Sequence, residues 1–218
     1  MFVIDSMTKN PISVEKNATI SAAFDLMRNN NIKRLTVTDS GKLIGLVTLS
    51  DLERVSPSQA TSLSMYELNY LLDKITVGEA IPKKQQLITI TPTAFLEEAA
   101  LLMNEQKIST LPVVEQGALV GIITEKDIFD AFLDLFGTKS KGTRITIAID
   151  EDHPGIMAAI CNLLAELQVN IRRIAVSTDS QGETYVIILI DKENDQEAAN
   201  LLQAQGYKIH SVKCFTHK

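Results

Sequence analysis

The sequence predicts a mixed α/β chain of the α+β kind, in which a duplicated unit is followed by a separate βαββαβ unit. The first observation is a repeated phrase: residues 45–51 read GLVTLSD and residues 121–127 read GIITEKD, at an offset of 127 − 51 = 76. The second is that 12–52 lies over 88–128 without a gap, pairing Ile12 with Ile88, Ala23 with Ala99, Met27 with Met103, Leu35 with Leu111, Gly45 with Gly121, Thr48 with Thr124 and Asp51 with Asp127. A duplicated unit is the economical explanation. The third is GTKSKG at 137–142, small and basic without apolar anchors, which reads as a linker before the pattern starts afresh.

Each copy opens on a β-like run, Ile12–Val14 or Ile88–Ile90, and continues with apolar residues at helical spacing. These are Ile20, Ala23, Phe24 and Met27 in the first copy and Leu96, Ala99, Ala100 and Met103 in the second. A strand (35–37, 111–114), a turn at Ser40–Gly41 or Gln116–Gly117, a second strand (43–47, 119–123) and a helix complete the unit. One copy of about 50 residues buries little alone, so two copies stacking their sheets form the folding unit. Between them, Ser64-x-x-Glu67 has capping-box spacing ahead of Leu68, Leu71, Leu72 and Ile75, which predicts a linking helix.

In the last third, a strand at 144–149 precedes a helix from about 154, with Pro154 suited to its first turn and Ile156, Ile160, Leu163, Leu164 and Leu167 on one face. Strands at 170–177 and 183–190 flank a turn at Ser180–Gly182, a helix at 195–205 carries Ala198, Leu201 and Leu202, and a last strand runs 207–215. That order is the ferredoxin-like pattern. The expected boundaries are 1–56 and 75–136 for the two copies, 57–74 for the linking helix, 137–142 for the linker and 143–218 for the last domain.

Composition narrows the function. Hydrophobic residues at 45% and charged residues at 22% are the balance of an ordinary globular chain. The longest apolar run, Tyr185–Ile190, is strand-length, and MFVIDSMTKN lacks a secretion signal, so a cytoplasmic protein without a membrane span is expected. Cys161 and Cys214 read as buried thiols in a reducing compartment, and His153, His210 and His217 have no metal-ligand spacing. A net charge of −6 opposes nucleic-acid binding. No G-x-x-x-x-G-K-[ST], G-x-S-x-G, H-E-x-x-H or G-x-G-x-x-G is present, so neither catalytic nor metal-binding residues are expected.

The Thr-x-x-Asp that closes each copy has two readings. Thr48 and Thr124 are placed as N-caps, with Asp51 and Asp127 able to reach back as capping boxes. The same groups, a hydroxyl and a carboxylate at a helix start, suit the phosphate and ribose hydroxyls of a nucleotide.

Tandem units closing on G-[LI]-[VI]-T-x-x-D, with Leu111–Pro112–Val113 in the second, resemble a pair of cystathionine-β-synthase (CBS) domains over about 1–135. The resemblance implies a cleft for an adenosine ligand such as AMP, ATP, NAD or S-adenosylmethionine, with no cofactor required. It implies that Thr48 and Thr124 contact phosphate or ribose and that Asp51 and Asp127 contact the ribose hydroxyls. Ser56–Pro57–Ser58 and Tyr66–Glu67–Leu68 are similar to text in the bacterial acetoin-utilisation AcuB-like CBS proteins. The copies differ where the first has Lys33–Arg34 and the second Ser109–Thr110. A guanidinium suits bidentate phosphate contact, so a charged ligand is expected near Arg34 and Asp51 rather than near Thr110 and Asp127; Arg34 as a plain surface charge is the alternative.

The last third resembles an ACT domain on Asp152-His153-Pro154-Gly155-Ile156 and Val169-Asn170-Ile171. That implies an amino-acid site at a subunit interface, with Asp152, His153, Gly155, Ile156 and Asn170 as candidates; a tight turn with nothing bound is the alternative. The function expected is a cytoplasmic regulatory sensor, a homodimer or higher homo-oligomer, acting on a regulated enzyme partner. The alternative is a scaffold that binds no ligand and serves oligomerisation.

Overall fold

The computed structural model describes residues 1–57, 65–138, 140–151, 153–193 and 195–216, which form two compact units, Met1–Ile128 and Phe129–Lys218. In chain order the first unit starts with α1 (Val3–Ser6) and β1 (Thr8–Lys9), then β2 (Ser13–Glu15), α2 (Ile20–Asn29), β3 (Arg34–Asp39), β4 (Lys42–Thr48) and α3 (Leu49–Val55). After α4 (Met65–Leu72) and α5 (Val77–Ala80) come α6 (Leu96–Gln106), β5 (Thr110–Glu115) and β6 (Ala118–Thr124), and α7 (Glu125–Leu135) carries the chain past Ile128 into the second unit. The expected linking helix is α4; Ser64 of its capping box lies outside the described residues.

The core is the apolar face that the periodicity marks. Ile20, Ala23 and Met27 of α2 bury against Leu35 and Val37 of β3, Val47 of β4 and Leu52 of α3. Their equivalents Leu96, Ala99, Met103, Leu111, Val113, Ile123 and Ile128 are buried too. Each large aliphatic side chain so buried contributes about 1.5–3 kcal/mol. The hairpins β3–β4 and β5–β6 turn at Ser40–Gly41 and Gln116–Gly117, where all four residues have positive φ. Such a turn follows the strand twist and places glycine at its second position.

The two sheets run β2–β3–β4 and β1–β6–β5. β2 is parallel to β3, with Val14 opposite Val37, whereas the second copy keeps only a bridge of Ile90 to Val113, the same pair 76 residues on. Proline explains the loss. Thr36 donates its hydroxyl to Ile12 O at 3.2 Å, and Pro112 in the equivalent place has neither hydroxyl nor N–H to offer.

The segment leading into each copy completes the other one. β1 pairs with β6, Thr8 opposite Ile122, and Val3 N donates to Ala94 O at 2.9 Å, so residues 1–9 belong structurally to the second copy. Conversely Val77 and Ala80 of α5 are fully buried in the first copy's core, and Val77 N donates to Ala18 O at 2.8 Å. Where β1 covers Ile122, the first copy uses a side chain: Gln85 Nε2 donates to Leu46 O at 2.7 Å and Leu46 N donates to Gln85 Oε1 at 3.0 Å. The repeated glycines belong to the same contact, since a Cβ on Gly121 would strike Met7 and one on Gly45 would press on Ile81 and Gln85.

In the second unit, β7 (Gly142–Ile149), α8 (Ile156–Glu166), β8 (Ile171–Thr178), β9 (Thr184–Ile190), α9 (Gln196–Ala204) and β10 (Lys208–Phe215) give the expected βαββαβ order. Their antiparallel sheet runs β10–β7–β9–β8. Ile145, Ile147, Val186 and Ile188 face Ile160 and Leu164 of α8 and Leu202 of α9. Two expectations change here. α8 begins at Ile156, not near Pro154, because Gly155 has φ 98°, outside the helical region. Cys161 and Cys214 are free, as read, but half-buried rather than buried.

Deletion of residues 1–9 is expected to raise amide hydrogen exchange in β5 and β6, in the second copy, while β2 and β3 keep their protection. Faster exchange confined to the first copy would contradict the exchanged leading segments.

Candidate functional site

Both Thr-x-x-Asp motifs close their helices as capping boxes. Thr48 N and Oγ1 donate to Asp51 Oδ2 at 2.9 and 2.6 Å, and Asp51 N donates back to Thr48 Oγ1 at 3.2 Å. Thr124 N and Oγ1 donate to Asp127 Oδ2 at 2.8 and 2.7 Å, with the return bond from Asp127 N at 3.4 Å. The first helical amide is also engaged, Leu49 N with Lys33 O at 3.0 Å and Glu125 N with Ser109 O at 3.2 Å. Two of the amides expected to await a phosphate at each helix start are therefore already bonded.

Each threonine opens onto a cavity whose opposite wall comes from the other copy. A cavity of about 380 Å³ joins Thr8, Ile122, Thr124, Lys126 and Asp127 on the second copy's side to Asn10, Pro11, Ile12 and residues 31–34 of the first copy. Its counterpart, about 280 Å³, joins Leu46, Thr48 and Gln85 on the first copy's side to Ile88 and residues 107–110 of the second copy. These are one site seen twice, since Ile122 and Thr124 stand 76 residues after Leu46 and Thr48. Arg34 lies on both walls, half-buried, with its Nη2 donating to Ser109 Oγ at 2.6 Å.

This arrangement corrects the expected grouping. Arg34 shares the larger cavity with Thr124 and Asp127, and Asp51 lines neither. Asp51 is 19% exposed with Arg54 at 3.5 Å, whereas no cation pairs with Asp127 among the described residues. The larger cavity therefore holds a carboxylate, Lys33, Arg34 and Lys126, a hydroxyl, and an apolar wall of Pro11, Ile12, Ile32 and Ile122. Gln85 and the exchange of walls were missed from sequence. One signal was available: Val3-x-Asp5-x-Met7 repeats as Val77-x-Glu79-x-Ile81 at 77 − 3 = 74, two residues out of step with the main repeat.

The candidate amino-acid residues are not gathered in one chain. The turn holding His153 and Gly155 follows Ile149, which pairs with Thr184, while Asn170 precedes Ile171, which pairs with Ile190 at the other end of β9. α8, 11 residues and so about 16 Å long, runs between them. A Cβ on Gly155 would meet nothing within 4 Å, so this glycine answers to its φ of 98° and not to a close backbone approach. Ile156 packs on the core, and Asn170 N donates to Asp191 Oδ1 at 3.0 Å. Asp152 lies outside the described residues. Among those residues no cluster of His, Cys, Asp or Glu could hold a metal, and no helix is long and apolar enough to cross a membrane.

A duplicated α/β module with two crossed clefts, followed by a ferredoxin-like unit, defines a ligand-binding regulatory class. The chain belongs to the CBS domain family, whose profile matches residues 3–58 and 77–134, and it carries an ACT domain matched over 145–207. CBS pairs are ligand-binding regulatory modules. An uncharacterized protein of Methanocaldococcus jannaschii is 33% identical over 153 residues, 66% of this chain and 34% of that protein, so the chain spans about a third of its length. The CBS domain-containing protein YhcV of Bacillus subtilis is 28% identical over 144 residues, 66% of this chain and 92% of that protein. A crystal structure from Vibrio cholerae, assigned by its name to acetoin utilization (AcuB), superposes with a TM-score of 0.51 at 29% identity, covering 62% of this chain and 92% of that one.

Replacing Thr48 or Thr124 by alanine removes a cap and is expected to destabilise the fold by about 0.5–2 kcal/mol, with serine restoring most of it. Urea denaturation midpoints check this, and an unchanged midpoint for both alanine variants would show that the caps add nothing.

Proposed function

We propose that this chain is a regulatory sensor whose CBS pair takes a phosphate-bearing adenine nucleotide in the larger cleft. The carrying observation is that one cavity brings Asp127, with no cation paired to it among the described residues, together with Thr124 and Lys126 on one wall and Lys33 and Arg34 on the facing wall. The chemistry follows from the groups: the carboxylate accepts from two ribose hydroxyls, the cations neutralise phosphate, and Ile12, Ile32 and Ile122 offer apolar surface to a purine. The resemblance to CBS pairs supports the same ligand class. The reading has the protein acting through a regulated partner enzyme and not by catalysis of its own.

For the ACT domain the reading is an amino-acid site completed by a second copy. β8 is an edge strand, with Ile174 and Val176 exposed at 46% and 60%. Pairing two such edges antiparallel brings the Asn170 end of one chain to the 153–155 end of the other, joining what a single chain holds apart. Helix α7 adds apolar surface for a homodimer, with Phe129 exposed at 67% and Leu133, Leu135 and Phe136 at nearly half.

A scaffold without ligand is the second reading. It is favoured by the capping boxes, which already account for the repeated Thr-x-x-Asp, and by the exposed face of α7.

Calorimetric titration of AMP into the full chain is expected to give saturable heat. Asp127→Asn should weaken it about tenfold or more, since a hydrogen bond to a charged group is worth about 1.5–3 kcal/mol. Asp51→Asn should change it far less. No heat from AMP, ATP, NAD or S-adenosylmethionine would leave the scaffold. Light scattering at micromolar concentration is expected to give at least a dimer mass, and a monomer mass would remove the two-chain amino-acid site.

A further inference from the structure

The second unit keeps its charges apart. Across 142–218 acidic residues outnumber Lys and Arg, yet no Asp or Glu lies on β7, β8, β9 or β10, which carry Arg144, Arg172, Arg173, Lys208 and Lys213. Side chains alternate across a strand, and the core takes one face of this sheet, so Arg144, Tyr185 and Lys213 stand on the other. Strand β10 alternates between two chemistries: Ile209, Val212 and Cys214 are half-buried on the core face, while Lys208, Ser211 and Lys213 are exposed on the open one. Lys213 lies opposite Arg144, with Arg144 Cζ 4.6 Å and Lys213 Nζ 5.4 Å from the centre of the Phe215 ring. Neither Lys208 nor Lys213 pairs with a carboxylate among the described residues. β10 ends the sheet, with β7 on one side and no strand on the other among the described residues.

Lysines and a bulge, here between Ile209 and Ser211, guard an edge strand against a copy of itself, because two such edges laid together crowd like charges on one face. A guard explains these features but not Arg144, which stands behind them on an inner strand. Its Nη2 donates to Phe136 O at 2.8 Å, and its Nε is buried without a hydrogen-bond partner. The positive face therefore continues inward from the edge. We propose that the free edge of β10 takes an extended segment of a partner protein in which Asp or Glu alternates with apolar residues. Main-chain hydrogen bonds to the edge supply affinity, and the alternation selects the partner. On one face of the added strand carboxylates come opposite Lys208 and Lys213, and on the other apolar side chains extend the row of Ile209 and Val212. An acidic strand thus fits where a second β10 does not. A nucleic-acid strand offers phosphates but neither amides for the edge nor an apolar row. The surface involves neither cleft, so it goes beyond the ligand reading above and stands or falls without it.

The test is fluorescence anisotropy on the full chain with a labelled Glu-Val-Glu-Val-Glu-Val-Glu peptide, followed by amide hydrogen exchange of the complex. The peptide is expected to bind saturably and to slow exchange in β10. Lys208→Gln with Lys213→Gln should weaken binding about threefold or more. Lys83→Gln with Lys84→Gln, the same change of charge on the first unit, should leave it unaltered. Lys208→Glu with Lys213→Glu should refuse this peptide and take one that alternates Lys and Val, a swap that a misfolded variant does not produce. No binding of the peptide, equal weakening by the two glutamine pairs, or binding with β10 exchange unaltered would overturn the site. Tighter binding of a thymidine oligonucleotide of equal charge would overturn it too, and make the face a nucleic-acid surface.

Discussion

The first unit depends on an exchange of leading segments. Residues 1–9 supply the second copy with the strand that covers Ile122, and residues 76–85 supply the first with Val77, Ala80 and the Gln85 amide that covers Leu46. Backbone at a sheet edge needs partners, and a buried helix face needs apolar cover; neither copy can provide both from its own contiguous chain. The pair is consequently the smallest piece that satisfies its own backbone. Anything that binds between the copies binds to a joint that the fold has already made.

The joint between strand and helix shows how one group serves two ends. In each motif the carboxylate uses a single oxygen, Oδ2, to hold both the backbone and the hydroxyl of its threonine. Closing the helix thus leaves a second oxygen for other work, and the two copies use it differently. On Asp51 that oxygen faces Arg54 at 3.5 Å, within its own helix. On Asp127 no such cation stands among the described residues, and the side chain lies on a cavity wall. The repeated phrase is therefore required by the fold in both places and available to a ligand in one.

Much of this was legible in the sequence because the signals were local and periodic. The repeat, the four-strand unit at the end, the hairpins and the long helices follow from apolar spacing and from Ser-Gly or Gln-Gly turns, whereas α1, β1 and α5 give no such signal and the strand expected at 88–90 is only a bridge at Ile90. The start of α8 falls later than about 154 because Pro154 suits a first helical turn but Gly155, with φ 98°, lies outside the helical region. Which side chains share a cleft was not legible, since that depends on how the copies pack. The gapless alignment grouped Arg34 with Asp51, in the same copy, but the carboxylate that lines a cavity with Arg34 is Asp127, 93 residues away by 127 − 34. The same applies to Asn170 and Gly155, close in sequence yet at opposite ends of a sheet because α8 carries the chain from one end to the other.

Crossed walls also bear on how the copies differ. Residues that pack the core remain paired across the repeat, as with Met27 and Met103 or Leu35 and Leu111, because a buried position tolerates little change in volume. Differences run along the whole repeat; those at the strand starts, Asn31, Lys33 and Arg34 against Lys107, Ser109 and Thr110, fall on cavity walls. Each strand start lines the cavity onto which the other copy's threonine opens, while each capping box closes within its own copy, Thr48 with Asp51 and Thr124 with Asp127. Duplication with crossed walls thereby separates the residues that keep each half folded from those that line its cavities. It also places one side chain, Arg34, on the walls of both cavities, so the two share a single guanidinium.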